Sequence, residues 1–93
     1  MESEAQVRFA HDLDQVLYEI RDLLIEKNSK YGDSALNPVR IFSKANSSEQ
    51  IKVRIDDKLS RLARGIGDED EDILKDTIGY LIMLRIANNR SLV

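Results

Sequence analysis

Apolar residues in this chain recur at intervals of three and four, with charged residues in the gaps. The first run, Leu13, Val16, Leu17, Ile20, Leu23 and Leu24, falls on one face of a helix. Ser3-x-x-Gln6 has the spacing of a capping box and predicts the start of that helix near Ser3. The helix should reach about Asn28, with Gly32 as its breaker. A second run, Ile51, Ile55, Leu59 and Leu62, with Ile66 at its edge, predicts another helix. Asn46, Ser47 and Ser48 open it, Ser47-x-x-Gln50 offers a second capping box, and Gly65-Ile66-Gly67 ends it.

The third run, from Ile73 to Ala87, is apolar nearly all round. Such a helix is central in a bundle or covered by another subunit. The acidic cluster Asp68 to Asp72 precedes it, where negative charge is favoured by the helix dipole. Between the first two runs, Asn37-Pro38 predicts an N-cap and a first-turn proline for a short helix through Ile41 and Phe42, ending near Ala45. No strand pattern, internal repeat or low-complexity tract is present. The expected fold is all-α: one domain over 1–93, a small bundle of three main helices plus a short helix after an irregular loop, assembled as a homo-oligomer.

Composition narrows the function classes. A chain of 93 residues suits a single domain, and small domains often gain stability by self-association. With 33% charged and 42% hydrophobic residues it has the makeup of a soluble globular protein. The formal net charge of −3 supplies no global basic field for duplex nucleic acid or an anionic membrane. The absence of cysteine excludes disulfides, thiolate metal sites and a cysteine nucleophile. No apolar run has the length of a membrane span, and MESEAQVRFAHD lacks the apolar core of a signal peptide. The expected location is the cytoplasm.

Candidate chemistry concentrates in three places. On the second helix Arg54, Asp57, Lys58 and Arg61 form a stripe beside the apolar face. Arginine and lysine at a core edge suit phosphate, because a guanidinium grips two oxygens at once; the plainer alternative is a solvated flank with snorkelling stems. On the third helix Asp72 and Asp76 share a face, which Gly79 extends while leaving space beside Asp76. A carboxylate in so apolar a helix needs a partner. Arg54 or Arg61 would serve in an ion pair. Alternatively, Asp57, Asp72 and Asp76 would collect around Mg²⁺ bridging substrate phosphates. Glu19, Asp22 and Glu26 share a face of the first helix, where they are solvated, pair with Lys27 or Lys30, or add to that metal site. His11 stands alone and reads as a surface or capping residue. No glycine-rich phosphate loop, zinc spacing or serine triad occurs.

The third place is the segment KYGDSALNPVRIF, Lys30 to Phe42. Tyr31 and Phe42 bring aromatic faces that can stack on a base. Lys30 and Arg40 bring positive charge, and Asp33, Ser34 and Asn37 bring directional hydrogen bonds. Together they have the makeup of a nucleotide pocket; alternatively, the segment is a compact connector with its aromatic rings in the core.

Ordered blocks support a resemblance. The runs K-x-x-K-Y-G-D-S (Lys27 to Ser34), N-P-x-R-I-F (Asn37 to Phe42), R-x-D-D-K-L-S-R-L (Arg54 to Leu62) and E-D-x-L-x-D-x-x-x-Y (Glu71 to Tyr80) resemble the nucleotide-modification-associated domain family. These are small helical proteins of phages and prophages, similar in outline to MazG-like all-α nucleoside triphosphate pyrophosphatases. The resemblance covers residues 13 to 88 and implies a site around Lys30, Tyr31, Gly32, Asp33, Arg54, Asp57, Lys58, Arg61, Asp72 and Asp76. It also implies the host cytoplasm as the place of action. The chain departs from the MazG pattern of Glu-x-x-Glu on one helix and Glu-x-x-Asp on the next. Asp72 and Asp76 stand four apart, and the preceding helix carries only Asp56 and Asp57, among basic neighbours.

The leading expectation is therefore binding of a nucleotide or nucleotide-derived small molecule. Lys30, Tyr31, Asp33, Asn37, Arg40, Arg54, Lys58 and Arg61 would line the pocket, and Asp57, Asp72 and Asp76 would hold Mg²⁺ for a pyrophosphatase-like cleavage. One alternative is a non-catalytic sponge that sequesters a nucleotide-derived host defence signal. Another is a helical interaction module whose charges only make salt bridges.

Overall fold

The computed structural model describes residues 2–65 and 72–92, and among these the chain is all-α. Helix α1 spans Glu4–Tyr31, α2 spans Ser47–Arg64 and α3 spans Ile73–Asn89. The expected roles of Ile66, Gly67 and Asp68 to Glu71 lie outside the described residues.

Each helix start has a chemical cause. Ser3 accepts from the Gln6 N–H while the Gln6 side chain accepts from the Ser3 N–H, so the first capping box is present. The second is not. Asn46 is the N-cap of α2, its side chain accepting from the Glu49 N–H at 2.8 Å. Ser47 lies inside the helix, buried, and its hydroxyl donates to the Leu36 carbonyl at 2.9 Å. Asp72 caps α3 by accepting from the Lys75 N–H at 2.9 Å. Helices α1 and α2 end at Gly32 and Gly65, both left-handed, with φ of 63° and 66°; glycine enters that region without the Cβ penalty. Helix α1 thus runs three residues beyond the expected Asn28.

The expected short helix after Pro38 does not form. Residues 38–46 are bends and irregular backbone. Asp33 takes up the left-handed conformation after Gly32, and its carbonyl accepts from the N–H groups of both Leu36 and Asn37. That one turn consumes the local hydrogen bonds before Pro38. Beyond it, Val39, Ile41 and Phe42 are exposed, Phe42 to 96%, so no apolar face is available to drive a helix into the core.

The core is formed by α2 and α3. Ile51 and Ile55 of α2, Ala87 of α3 and Leu36 of the loop are buried together, with Tyr80, Met83 and Leu84 packed against them. Beyond α3, Leu92 returns to the start of α2, its carbonyl accepting from the Ser48 N–H at 3.1 Å. Helix α1 packs on α3 and not on α2. α3 is therefore central, as its all-round apolar surface requires. Gly79 brings α1 close: a Cβ there would lie 3.1 Å from Leu24 Cδ2.

The apolar face of α1 is only partly used. Ile20 is buried and Leu23 and Leu24 are half-buried, but Leu13, Val16 and Leu17 are exposed. Leu59 and Leu62 of α2 are exposed too, at the end of that helix farthest from Leu36 and Leu92. No described helix is long and apolar enough to cross a membrane.

Candidate ligand-binding site

Where α1, the loop, α2 and α3 meet, they enclose a cleft of about 660 Å³. That volume is within the range of about 300–1,000 Å³ usual for small-molecule sites. Leu23, Leu24, Ile51, Gly79 and Met83 form its apolar wall, and Tyr31 and Tyr80 bring aromatic rings. Asn28, Asp33, Ser34, Gln50 and Arg54 bring polar groups, while Lys27 and Asp76 add opposite charges.

The electrostatic centre is Asp76, in the first turn of α3 with its side chain 16% exposed. Lys27 of α1 donates to its Oδ1 at 3.2 Å, and Lys58 of α2 donates to its Oδ2 at 3.5 Å. One carboxylate therefore ties all three described helices together. The partner required for a carboxylate in an apolar helix is present, but it is this pair of lysines and neither Arg54 nor Arg61.

Arg54 lines the cleft from the exposed flank of α2. Lys27 from α1 and Arg54 from α2 thus both bring cationic donors to the lining that holds Asp76. The Lys27 ammonium has three donors, and its side chain is 43% exposed, so it can contact an anion while still holding Asp76.

The turn that follows α1 supplies the opposite rim. Asp33 accepts from Asn28 Nδ2 at 2.6 Å and from Asn37 Nδ2 at 3.4 Å. These contacts stabilise an unusual backbone position, because Asp33 has φ of 62°. Aspartate is among the few non-glycine residues that adopt it readily. The turn leaves Tyr31, Asp33, Ser34 and Ala35 on the cleft and sends Leu36 into the core.

The structure thus gathers part of the expected site. Tyr31, Asp33, Arg54 and Asp76 line the cleft, and Lys58 stands behind it on Asp76. Besides Lys58, four expected binding residues are not on its lining. Lys30 lies over the Tyr31 ring, 5.4 Å from its centroid. Asn37 is spent on Asp33, and Arg40 reaches the Ser47 hydroxyl at 3.4 Å. Arg61 lies two turns beyond Arg54 along α2. Phe42 is solvent-exposed and belongs to neither cleft nor core.

The expected Mg²⁺ ligands do not converge. Asp72 is committed to capping α3, Asp57 is exposed on α2, and both oxygens of Asp76 face lysines. Glu19, Asp22 and Glu26 are exposed on α1, and Asp22 has Arg21 at 3.8 Å. Among the described residues no three histidine or acidic side chains are grouped to hold a metal ion.

Lys27, Gln50, Tyr80 and Met83 were not expected at the site. Lys27 did leave a trace in the sequence. It stands three and four residues after Leu24 and Leu23 and seven after Ile20, on the stripe that meets α3. A lysine at a core-facing position implies a buried acid opposite, and Asp76 had the complementary need. No family model, curated protein or solved structure matches this chain.

Proposed function

We propose that the cleft binds a phosphorylated nucleotide or nucleotide-derived small molecule and holds it without cleaving it. The observation that carries this reading is the state of Asp76. Its two oxygens are taken by Lys27 and Lys58, while Arg54 and the outer side of Lys27 remain open to the same cleft. A carboxylate neutralised in this way is a weak metal ligand, and lysine and arginine donors facing one cleft favour phosphate.

Two further features support the reading. Tyr31 and Tyr80 offer faces for a planar base, and such stacking is worth about 1–3 kcal/mol per base. Asn28, Asp33, Ser34 and Gln50 give the directional polar contacts that a base or sugar needs. On the resemblance to phage and prophage proteins, the role assigned is a sponge for a nucleotide-derived defence signal in the host cytoplasm, with the protein acting as a homo-oligomer.

The test is to incubate the protein with a panel of nucleotides, including cyclic and ADP-ribose-type compounds, with and without Mg²⁺. The sample is then denatured and the small molecules are analysed by chromatography and mass spectrometry. Depletion before denaturation and release of intact ligand afterwards is the expected result. Metal-dependent conversion in excess over protein would replace this reading with the pyrophosphatase one. Neither depletion nor conversion across the panel would leave the interaction module.

A further inference from the structure

We infer that the N-terminal half of α1 is an interface for a second copy of this chain, with the two helices paired antiparallel along Phe9, Leu13, Val16 and Leu17. This differs from the sequence expectation, which placed self-association on the apolar α3.

The argument begins with surface area. The chain exposes 7505 Å². A compact monomer of 10.7 kDa exposes about 5,500 Å². The excess is about 2,000 Å², whereas a stable protein interface buries about 800 Å² per partner. This chain therefore carries more surplus surface than one interface of ordinary size needs.

The surplus is concentrated on α1. Every residue from Glu2 to Glu19 is exposed, so α1 has about 24 Å of helix that buries no side chain. A helical segment of that length is marginal by itself in water. Yet its polar and apolar positions are not mixed as on a solvated helix. Phe9, Leu13, Val16 and Leu17 continue, at spacings of three and four, the stripe whose later members Ile20, Leu23 and Leu24 pack toward α3. The bare half is an extension of an interface already in use.

Geometry selects a second copy and its direction. A stripe that pairs with itself about a two-fold axis buries the same residues on both partners and closes the assembly. The α2–α3 body occupies the C-terminal half of α1. Parallel pairing would crowd two such bodies at one end, whereas antiparallel pairing puts them at opposite ends and lets the bare halves overlap. This inference does not depend on the identity of any ligand.

The first test is sedimentation equilibrium of the full chain over a wide concentration range. The expected result is a mass twice that of the chain, falling to the monomer mass in a Leu13→Glu, Leu17→Glu variant that keeps its α2–α3 body folded by circular dichroism. Both leucines are exposed in the single chain, so neither belongs to its buried core. A monomeric wild type, or a dimer unchanged in the variant, would overturn the proposal. Because the chain has no cysteine, Leu13→Cys and Tyr18→Cys give a second reading from folded protein. Oxidation should link Leu13→Cys, which sits where the two-fold axis crosses the paired stripe, into a covalent dimer and leave Tyr18→Cys, on the opposite side of the helix, unlinked; the reverse pattern would also overturn it.

Discussion

Lys27 and Asp76 are 49 residues apart in the chain, and their charged groups lie 3.2 Å apart in the fold. Lys58 approaches the other oxygen of the same carboxylate at 3.5 Å. The contact joins the last turns of α1 to the first turn of α3 and forms one corner of the cleft.

Replacing Asp76 with Asn should separate structural from ligand-binding effects. Lys27 and Lys58 would each lose this contact, and the fold should weaken by about 1–2 kcal/mol, less than for a fully buried pair because Lys27 is partly solvated. Denaturant titration reads that loss as a lower midpoint. Binding of an anionic nucleotide should strengthen, since the corner gains a unit of positive charge. If Asp76 served a catalytic metal, the same variant would lose turnover and metal dependence instead.

Arg54 is the cleanest probe of the cleft. Its side chain is exposed and lies outside the core, so Arg54→Ala should leave the thermal midpoint almost unchanged. A lost hydrogen bond to a charged ligand costs about 1.5–3 kcal/mol, which corresponds to a fall in affinity of roughly ten- to a hundredfold. Isothermal titration with a ligand recovered from the nucleotide panel measures it. Arg61→Ala, two turns farther along α2, should have a much smaller effect on affinity.

Ser47 and Ser48 are adjacent, both buried, and should behave oppositely. The Ser47 hydroxyl satisfies the Leu36 carbonyl, and Ser47→Ala would leave that carbonyl without its partner, at about 1–3 kcal/mol. The Ser48 hydroxyl has no hydrogen-bond partner among the described residues. Ser48→Ala keeps the backbone bond to Leu92 and removes only the unsatisfied oxygen, so it should be neutral or stabilising. Paired chemical denaturation curves decide this. A larger loss at Ser48 would show that its hydroxyl is satisfied by something else.

Gly79 tests how closely α1 must approach α3. A Cβ there meets the end of the Leu24 side chain at 3.1 Å, a contact that a leucine rotamer can relieve. Gly79→Ala should therefore be nearly neutral, since the better helix propensity of alanine, about 1 kcal/mol, offsets the shift. Gly79→Val adds two more methyl groups against the same leucine and should cost about 1–3 kcal/mol. Both values are available from urea midpoints. Equal effects of the two variants would mean that α1 moves freely away from α3.

What the sequence determined by itself is local. The period of three and four set the helical faces, the Ser3–Gln6 box began α1 and the glycines ended α1 and α2, because these features depend on residues within one or two turns of each other. The need of Asp76 for a partner was equally visible, since it follows from one carboxylate in an apolar helix. Local patterns do not show which distant face covers which. The tertiary structure alone decided that Lys27, and not Arg54, meets Asp76. It made Ser47 a buried anchor for the Leu36 carbonyl while Asn46 took the cap, and it spent Asn37 and Arg40 on neighbours outside the cleft. It also left Pro38 to Phe42 without a helix and half the apolar stripe of α1 uncovered. Each of these outcomes depends on the close approach of groups far apart in the chain, and a carboxylate accepts whichever cation the packing brings within reach.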